Sequence, residues 1–185
     1  MTIRNTHASW GAGAKLFHWL MAALILAQIA LGLAAANWHL SPTKLTLFFW
    51  HKSTGMLILA LALLRLLWRL ANPTPALPAG TPAWERAAAR ASHALLYCAM
   101  IALPVTGWIV NSAANVPLKI FHLVPLPAIV APDKATENLA ALAHFWIFTL
   151  FGVLLALHAG AALRHHVVKR NDVLARMLFA SPNRK

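Results

Sequence analysis

The chain has 185 residues, of which 60% are hydrophobic and only 11% charged, with a mean hydropathy of +0.64. A soluble domain carries roughly 25% charged residues, so this composition excludes an ordinary water-soluble globule and points to a membrane protein. The formal net charge of +12 suits anionic lipid and not nucleic acid, because the basic residues crowd at the ends of apolar runs and no basic face with interleaved aromatics appears.

Four stretches are long enough to cross about 30 Å of hydrocarbon. They run from about Leu16 to Trp38, Leu45 to Trp68, Ser92 to Asn111 and Leu139 to Leu163. The first reads as a retained span, not a cleaved signal, since no small-residue cleavage site precedes the next span. The predicted fold class is an all-α membrane protein, a four-transmembrane-helix bundle forming one domain over residues 1–185. Pro104 is expected to interrupt and kink the third span.

The loops orient the bundle. Arg4, Lys15, Arg65, Arg69, Arg86, Arg90, Arg164, Lys169, Arg170, Arg176, Arg184 and Lys185 fall on one side; Lys44, Lys52, Lys119 and Lys134 fall on the other. The positive-inside rule then makes both termini cytoplasmic. The segment Asn72 to Pro82 holds four prolines and reads as a stiff, extended loop. The longest loop, about Ser112 to Asn138, is expected to fold over the outer mouth of the bundle. Tryptophans 10, 19, 38, 50, 68, 84 and 108 mostly fall near span ends, as in an interfacial belt.

His144 and His158 lie in one apolar run, fourteen residues apart. That is nearly four helical turns, so both rings leave one face, roughly 21 Å apart along the axis. An ionisable side chain in hydrocarbon is a functional-site hypothesis by default. Topology sets the depths. His18 starts the outward first span and is inner; His51 starts the inward second span and is outer; in the inward fourth span His144 is outer and His158 inner. Two same-depth pairs follow, His18 with His158 and His51 with His144. Each joins two helices, as a six-coordinate bis-histidine iron requires. Zinc would want four close ligands, and the spans add no carboxylate to either pair, so haem fits better. The one cysteine, Cys98, excludes covalent attachment through a Cys-x-x-Cys-His motif and a four-cysteine cluster; it is expected to be a small buried apolar residue. Gly55 and Gly160, near two of these histidines, serve either close ring approach or helix packing. His93 reads as a core or interfacial residue, with a hydrogen-bonding role beside the inner centre as the alternative. His165 and His166 are expected at lipid headgroups; His7, His39 and His122 are loop residues.

These residues carry a resemblance. Phe17-His18-Trp19-Leu20, His51-Lys52-Ser53-Thr54-Gly55, Leu64-Arg65-Leu66-Leu67-Trp68-Arg69, Pro73-Thr74-Pro75, His93-Ala94-Leu95-Leu96-Tyr97, Leu103-Pro104-Val105-Thr106-Gly107-Trp108 and the stretch from Leu157 to His166 follow one another as in the bacterial cytochrome b561 family, which the chain resembles over nearly its whole length. The resemblance implies two b-type haems ligated by His18, His51, His144 and His158, and an electron carrier of the bacterial cell inner membrane. It implies superoxide:ubiquinone oxidoreductase activity, with superoxide as donor and ubiquinone as acceptor. The alternative is a cytochrome b subunit passing electrons between a partner dehydrogenase or hydrogenase and the quinone pool. Bis-histidine iron has no open position, so electrons would enter and leave through the porphyrin edge. Cations at the outer mouth would speed the arrival of an anion; Lys52 is the first candidate for this catalytic role, with Lys119 and Lys134 behind it.

Overall fold

The computed structural model describes residues 2–78 and 80–179. Arg184 and Lys185 of the charge argument lie outside the described residues. The chain forms α1 (Ala12–Asn37), α2 (Pro42–Leu70), α3 (Ala83–Ala113), the short strands β1 (Leu118–Ile120) and β2 (Val124–Leu126), α4 (Lys134–Val167) and a 3-10 turn at Ala175–Met177. All four α-helices are long and apolar enough to cross a membrane, and each extends beyond the apolar run that predicts it, because polar end residues continue the same hydrogen-bond ladder. Few positions per helix are buried. Leu26, Leu63, Leu67, Leu150 and Leu157 stay exposed, which is the surface a bundle presents to lipid and not to water.

The helix starts show why the elements begin where they do. In α2, the Ser41 hydroxyl accepts from the Lys44 N–H, and Pro42 occupies the first turn, where a missing N–H costs nothing. In α4, the Asp133 carboxylate accepts from the Thr136 N–H at 2.7 Å. Hydrogen bonds from Thr136 hold the Asp133 carboxyl below its ordinary range. Gly11 before α1 has no side-chain cap; the N–H groups of Ala12 and Gly13 donate instead to the Thr2 and Ile3 carbonyls. A β-carbon at Gly11 would collide with that returning backbone.

Helix α3 continues unbroken through Pro104, so the expected interruption does not occur. Proline lacks the N–H for the preceding turn. Two residues on, the Thr106 hydroxyl donates back to the carbonyls of Ala102 and Leu103, at 2.8 and 2.9 Å, as a threonine inside a helix does.

Extensive packing joins α1 with α2, α2 with α3 and α3 with α4. The core consists of Met21, Ile25, Ile58, Ala62, Leu96, Ala99, Met100, Phe151 and Leu154, drawn from all four helices. Cys98 is exposed, contrary to its expected burial. Its neighbours Leu96, Ala99 and Met100 take the core-facing side of α3 and turn it outward. An apolar site on a membrane helix is as well matched to lipid as to protein, so composition alone does not fix the facing.

The first and the last described segments meet at one end of the bundle. There the Asn5 amide donates to the Pro73 carbonyl, Lys15 to Leu178 and the Trp19 indole to Met177. Glu85, buried at the start of α3, receives Lys169 at 2.6 Å and Arg164 at 3.2 Å, with His165 Nε2 at 3.7 Å. His165 is partly buried between Glu85 and Asn171, whose Nδ2 lies 2.8 Å from His165 Nδ1; His166 is exposed.

The opposite end carries the β1–β2 hairpin, with Leu118 opposite Leu126 and Ile120 opposite Val124. Three residues, 121–123, join the strands; Phe121 and His122 both have positive φ, 48° and 60°, and the Leu123 N–H donates to the Ile120 carbonyl at 2.9 Å to close the turn. The Phe121 N–H donates to the fully buried Ser53 hydroxyl, His122 stacks on Phe49 with ring centres 3.8 Å apart, and the Trp108 indole donates to the Pro127 carbonyl. The loop therefore packs against α2 and α3. It was expected to close the outer mouth, but none of residues 112–138 lines the large cavity at this end.

Candidate functional site

Two cavities occupy the bundle axis. The one toward the hairpin end, of about 510 Å³, is lined by His51, His144, Gly32, Gly55, Lys52, Gln28 and the aromatics Phe48, Phe145 and Phe148. The one toward the termini, of about 230 Å³, is lined by His18, His93, His158, Arg65, Arg69, Trp68 and Tyr97. Ile25, Met100 and Phe151 belong to both walls and form the apolar septum between them.

Four helices supply these walls at a common interval. Fourteen residues separate His18 from Gly32 on α1, His51 from Arg65 on α2, His93 from Gly107 on α3, and His144 from His158 on α4. Because that interval nearly closes on whole turns, each helix offers one residue to each of two levels. The hairpin-end level holds Gly32, His51, Gly107 and His144. The termini-end level holds His18, Arg65, His93 and His158.

The contacts follow this layering. His51 and His144 have ring centres 6.4 Å apart. His18 and His158 have ring centres 6.1 Å apart, and His93 stands 5.2 Å from His158. Two imidazoles bound to one metal through bonds of roughly 2 Å each put their ring centres about 6 Å apart, so both pairs have room for one iron between them. Among the described residues, no three His, Cys, Asp or Glu side chains form a metal cluster, so each pair stands as two ring nitrogens facing one another.

Sequence reasoning missed the residues that hold these rings. A β-carbon at Gly32 would stand 2.8 Å from His51 Cε1, and one at Gly107 3.5 Å from His144 Cε1. Glycine is what lets α1 lie against the His51 ring. The signal was present in the fourteen-residue spacing, but it becomes legible only once all four helices are seen side by side. Gly55 packs toward Gln28 on α1, whose Nε2 would lie 3.1 Å from an added β-carbon. Gln28 in turn donates to the His51 carbonyl at 2.8 Å and accepts from Thr54 at 2.6 Å. Gly160 meets nothing within 4 Å and lies outside both cavities.

The four rings differ in their hydrogen bonding. Thr106 Oγ1 lies 3.0 Å from His144 Nδ1. Because that hydroxyl donates its proton to the Ala102 or Leu103 carbonyl, its oxygen accepts from Nδ1–H, leaving Nε2 free of a proton and able to bind metal. His51 Nδ1 is buried with no hydrogen-bond partner. His18 Nδ1 faces an Arg65 nitrogen at 3.1 Å. The unpartnered His51 nitrogen, the glycines against His51 and His144 and the apolar walls together suit a flat aromatic group held between imidazoles.

Lys52 lines the hairpin-end cavity half-buried, and its ammonium donates to the Asn111 side-chain oxygen at 2.6 Å. Asn111 also donates to the Val116 carbonyl, which fixes it. Lys134 is paired with Glu137 at 2.9 Å, and Lys119 is exposed on β1. Of the tryptophans assigned to an interfacial belt, Trp10 and Trp68 instead line the termini-end cavity. The ring of Trp68 fits against Gly13, where a β-carbon would come within 2.6 Å.

Residues 9–180 match the sequence model of a family described as prokaryotic cytochrome b561. The chain is 34% identical to the Cytochrome b561 homolog 2 of Escherichia coli (strain K12) over 188 residues, covering 98% of this chain and 97% of the relative. It is 30% identical to Cytochrome b561 homolog 1 of the same organism, over 78% of this chain and 80% of the relative. It is also 30% identical to a protein of Yersinia pestis named Probable superoxide oxidase CybB, over 69% of this chain and 72% of that protein.

Proposed function

The chain belongs to the prokaryotic cytochrome b561 family of transmembrane electron-transfer proteins of the bacterial inner membrane, and from that premise we propose that it is a dihaem superoxide:ubiquinone oxidoreductase. The observation that carries this reading is the presence of two stacked cavities, each holding a histidine pair from two different helices at 6.4 and 6.1 Å. His51 and His144 would hold one b-type haem, and His18 and His158 the other. The name of the Yersinia pestis relative supports superoxide as the donor. The distribution of Lys and Arg supports a cytoplasmic position for both termini.

When bound, such haems supply reversible one-electron transfer. The chain's own residues determine the rest. The histidine pairs would hold the iron through one ring nitrogen from each side chain and so would leave no position on it for substrate. Thr106 holds His144 in the tautomer that leaves Nε2 to bind. Lys52, a cation in the wall of the hairpin-end cavity, favours the approach of an anionic donor. Ile25, Met100 and Phe151 keep water out of the septum. Overall, two superoxide anions each lose one electron and leave as dioxygen, while one ubiquinone takes up two electrons and two protons.

A pyridine haemochrome assay should return two non-covalent b haems per chain. In stopped-flow, superoxide should reduce the oxidised protein and ubiquinone should reoxidise it. Two haems with no reduction by superoxide would instead favour a cytochrome subunit fed by a partner dehydrogenase or hydrogenase.

A further inference from the structure

The termini-end cavity holds a charge that no carboxylate among the described residues balances. Arg65 and Arg69 both lie over one face partner, the Tyr97 ring, at 5.6 and 5.9 Å. All four acidic side chains are engaged elsewhere: Glu85 with Arg164 and Lys169, Asp133 as the cap of α4, Glu137 with Lys134, and Asp172 with Arg176. Among the described residues, neither arginine has a carboxylate partner. A cation–π contact offsets only part of what it costs to take a guanidinium out of water, and two like charges near one ring oppose each other. Trp68 adds a third donor, since its Nε1–H is buried without an acceptor. Residues 65, 68 and 69 share one face of α2, and all three line this cavity.

Arg65 also occupies the ring that the proposed function assigns to iron. Arginine can only donate, so at 3.1 Å His18 Nδ1 is the acceptor, and the ring's single proton sits on Nε2. Iron binds the nitrogen that carries no proton. At Nδ1 the guanidinium stands in the way; at Nε2 the proton must first move to Nδ1, where Arg65 again blocks it. Loading of His18 therefore requires Arg65 to turn to another acceptor.

We infer that Arg65, with Arg69 and Trp68, receives the carboxylate groups of the macrocycle held by His18 and His158, and that this anion draws Arg65 off His18 so that the ring can ligate. Arg65 acts as a positioning residue: the charged edge of the ring and the ligand nitrogen are engaged together. The hairpin-end level has glycines at its two non-histidine positions and one cation, Lys52, already bound to Asn111, so the dependence on carboxylates belongs chiefly to the inner site. The inference rests on the histidine assignment above.

The test uses the full chain carrying His51→Ala and His144→Ala, so that only the inner pair reports. The haem-depleted protein in detergent is titrated with iron protoporphyrin IX or with its dimethyl ester, and the low-spin bis-histidine absorbance is followed. The free acid should bind, and the ester should bind about tenfold or more weakly, as expected for loss of charge-assisted hydrogen bonds. Arg65→Gln should weaken the free acid by a similar factor and abolish the discrimination, while Arg65→Lys should retain part of it; circular dichroism checks that each variant remains helical. Equal binding of acid and ester, or full discrimination in Arg65→Gln, overturns the inference and leaves the histidine ligands standing. A helical background variant that binds neither ring rejects the ligand assignment and this inference with it.

Discussion

Gly32 on α1 and His51 on α2 are in such close contact that a β-carbon on Gly32 would stand 2.8 Å from His51 Cε1. Neither helix can give way cheaply, since Gln28 one turn earlier is bonded to the His51 carbonyl. Gly32→Ala should displace the ring and reduce the haem content from two per chain to about one, read by pyridine haemochrome. Gly160→Ala, where an added β-carbon meets nothing, should leave the spectrum unchanged.

The two levels predict which losses occur together. His51→Ala and His144→Ala should each remove the same component of the reduced-minus-oxidised spectrum. His18→Ala and His158→Ala should each remove the other. If His18→Ala and His144→Ala abolished one shared component, the pairing would be wrong.

Thr106 should matter although it would not touch the metal. Thr106→Val keeps the shape of the side chain but removes the oxygen that accepts from His144 Nδ1. Loss of such a supporting hydrogen bond typically costs 10- to 100-fold in metal-site affinity. Haem retention at the His51/His144 site should fall by about tenfold or more in competitive transfer to apomyoglobin, with the His18/His158 site unaffected.

Lys52→Glu reverses a charge in the wall of the hairpin-end cavity. The bimolecular rate of reduction by superoxide should drop, and its decrease with added salt should flatten or invert, because screening acts on the attraction itself. An unchanged rate with unchanged salt dependence would remove the steering role and leave the haem assignment intact.

Glu85 tests structure apart from electron transfer. It receives Lys169 and Arg164 across the α3–α4 contact, so Glu85→Gln leaves those cations without their counterion. The unfolding temperature should fall, while the haem-to-protein ratio of the folded protein stays at two. A loss of haem at unchanged thermal stability would contradict this purely structural role.

Composition and the lengths of four apolar runs were sufficient to establish a membrane-spanning helical bundle, because in hydrocarbon every backbone group must be satisfied within its own segment. The fourteen-residue interval in α4 likewise put His144 and His158 on one face at two levels, since helical geometry is the same wherever a helix forms. What faces what was beyond the sequence. Cys98 and the residues beside it are all apolar, and in a membrane both the core and the lipid accept such side chains; packing alone turned Cys98 outward. The glycines opposite His51 and His144, the hydroxyl of Thr106 and the approach of Arg65 to His18 each depend on contacts between different helices. So does the seating of the hairpin on Ser53. Those relationships follow from how four helices sit against one another, a property that no single helix carries in its own pattern.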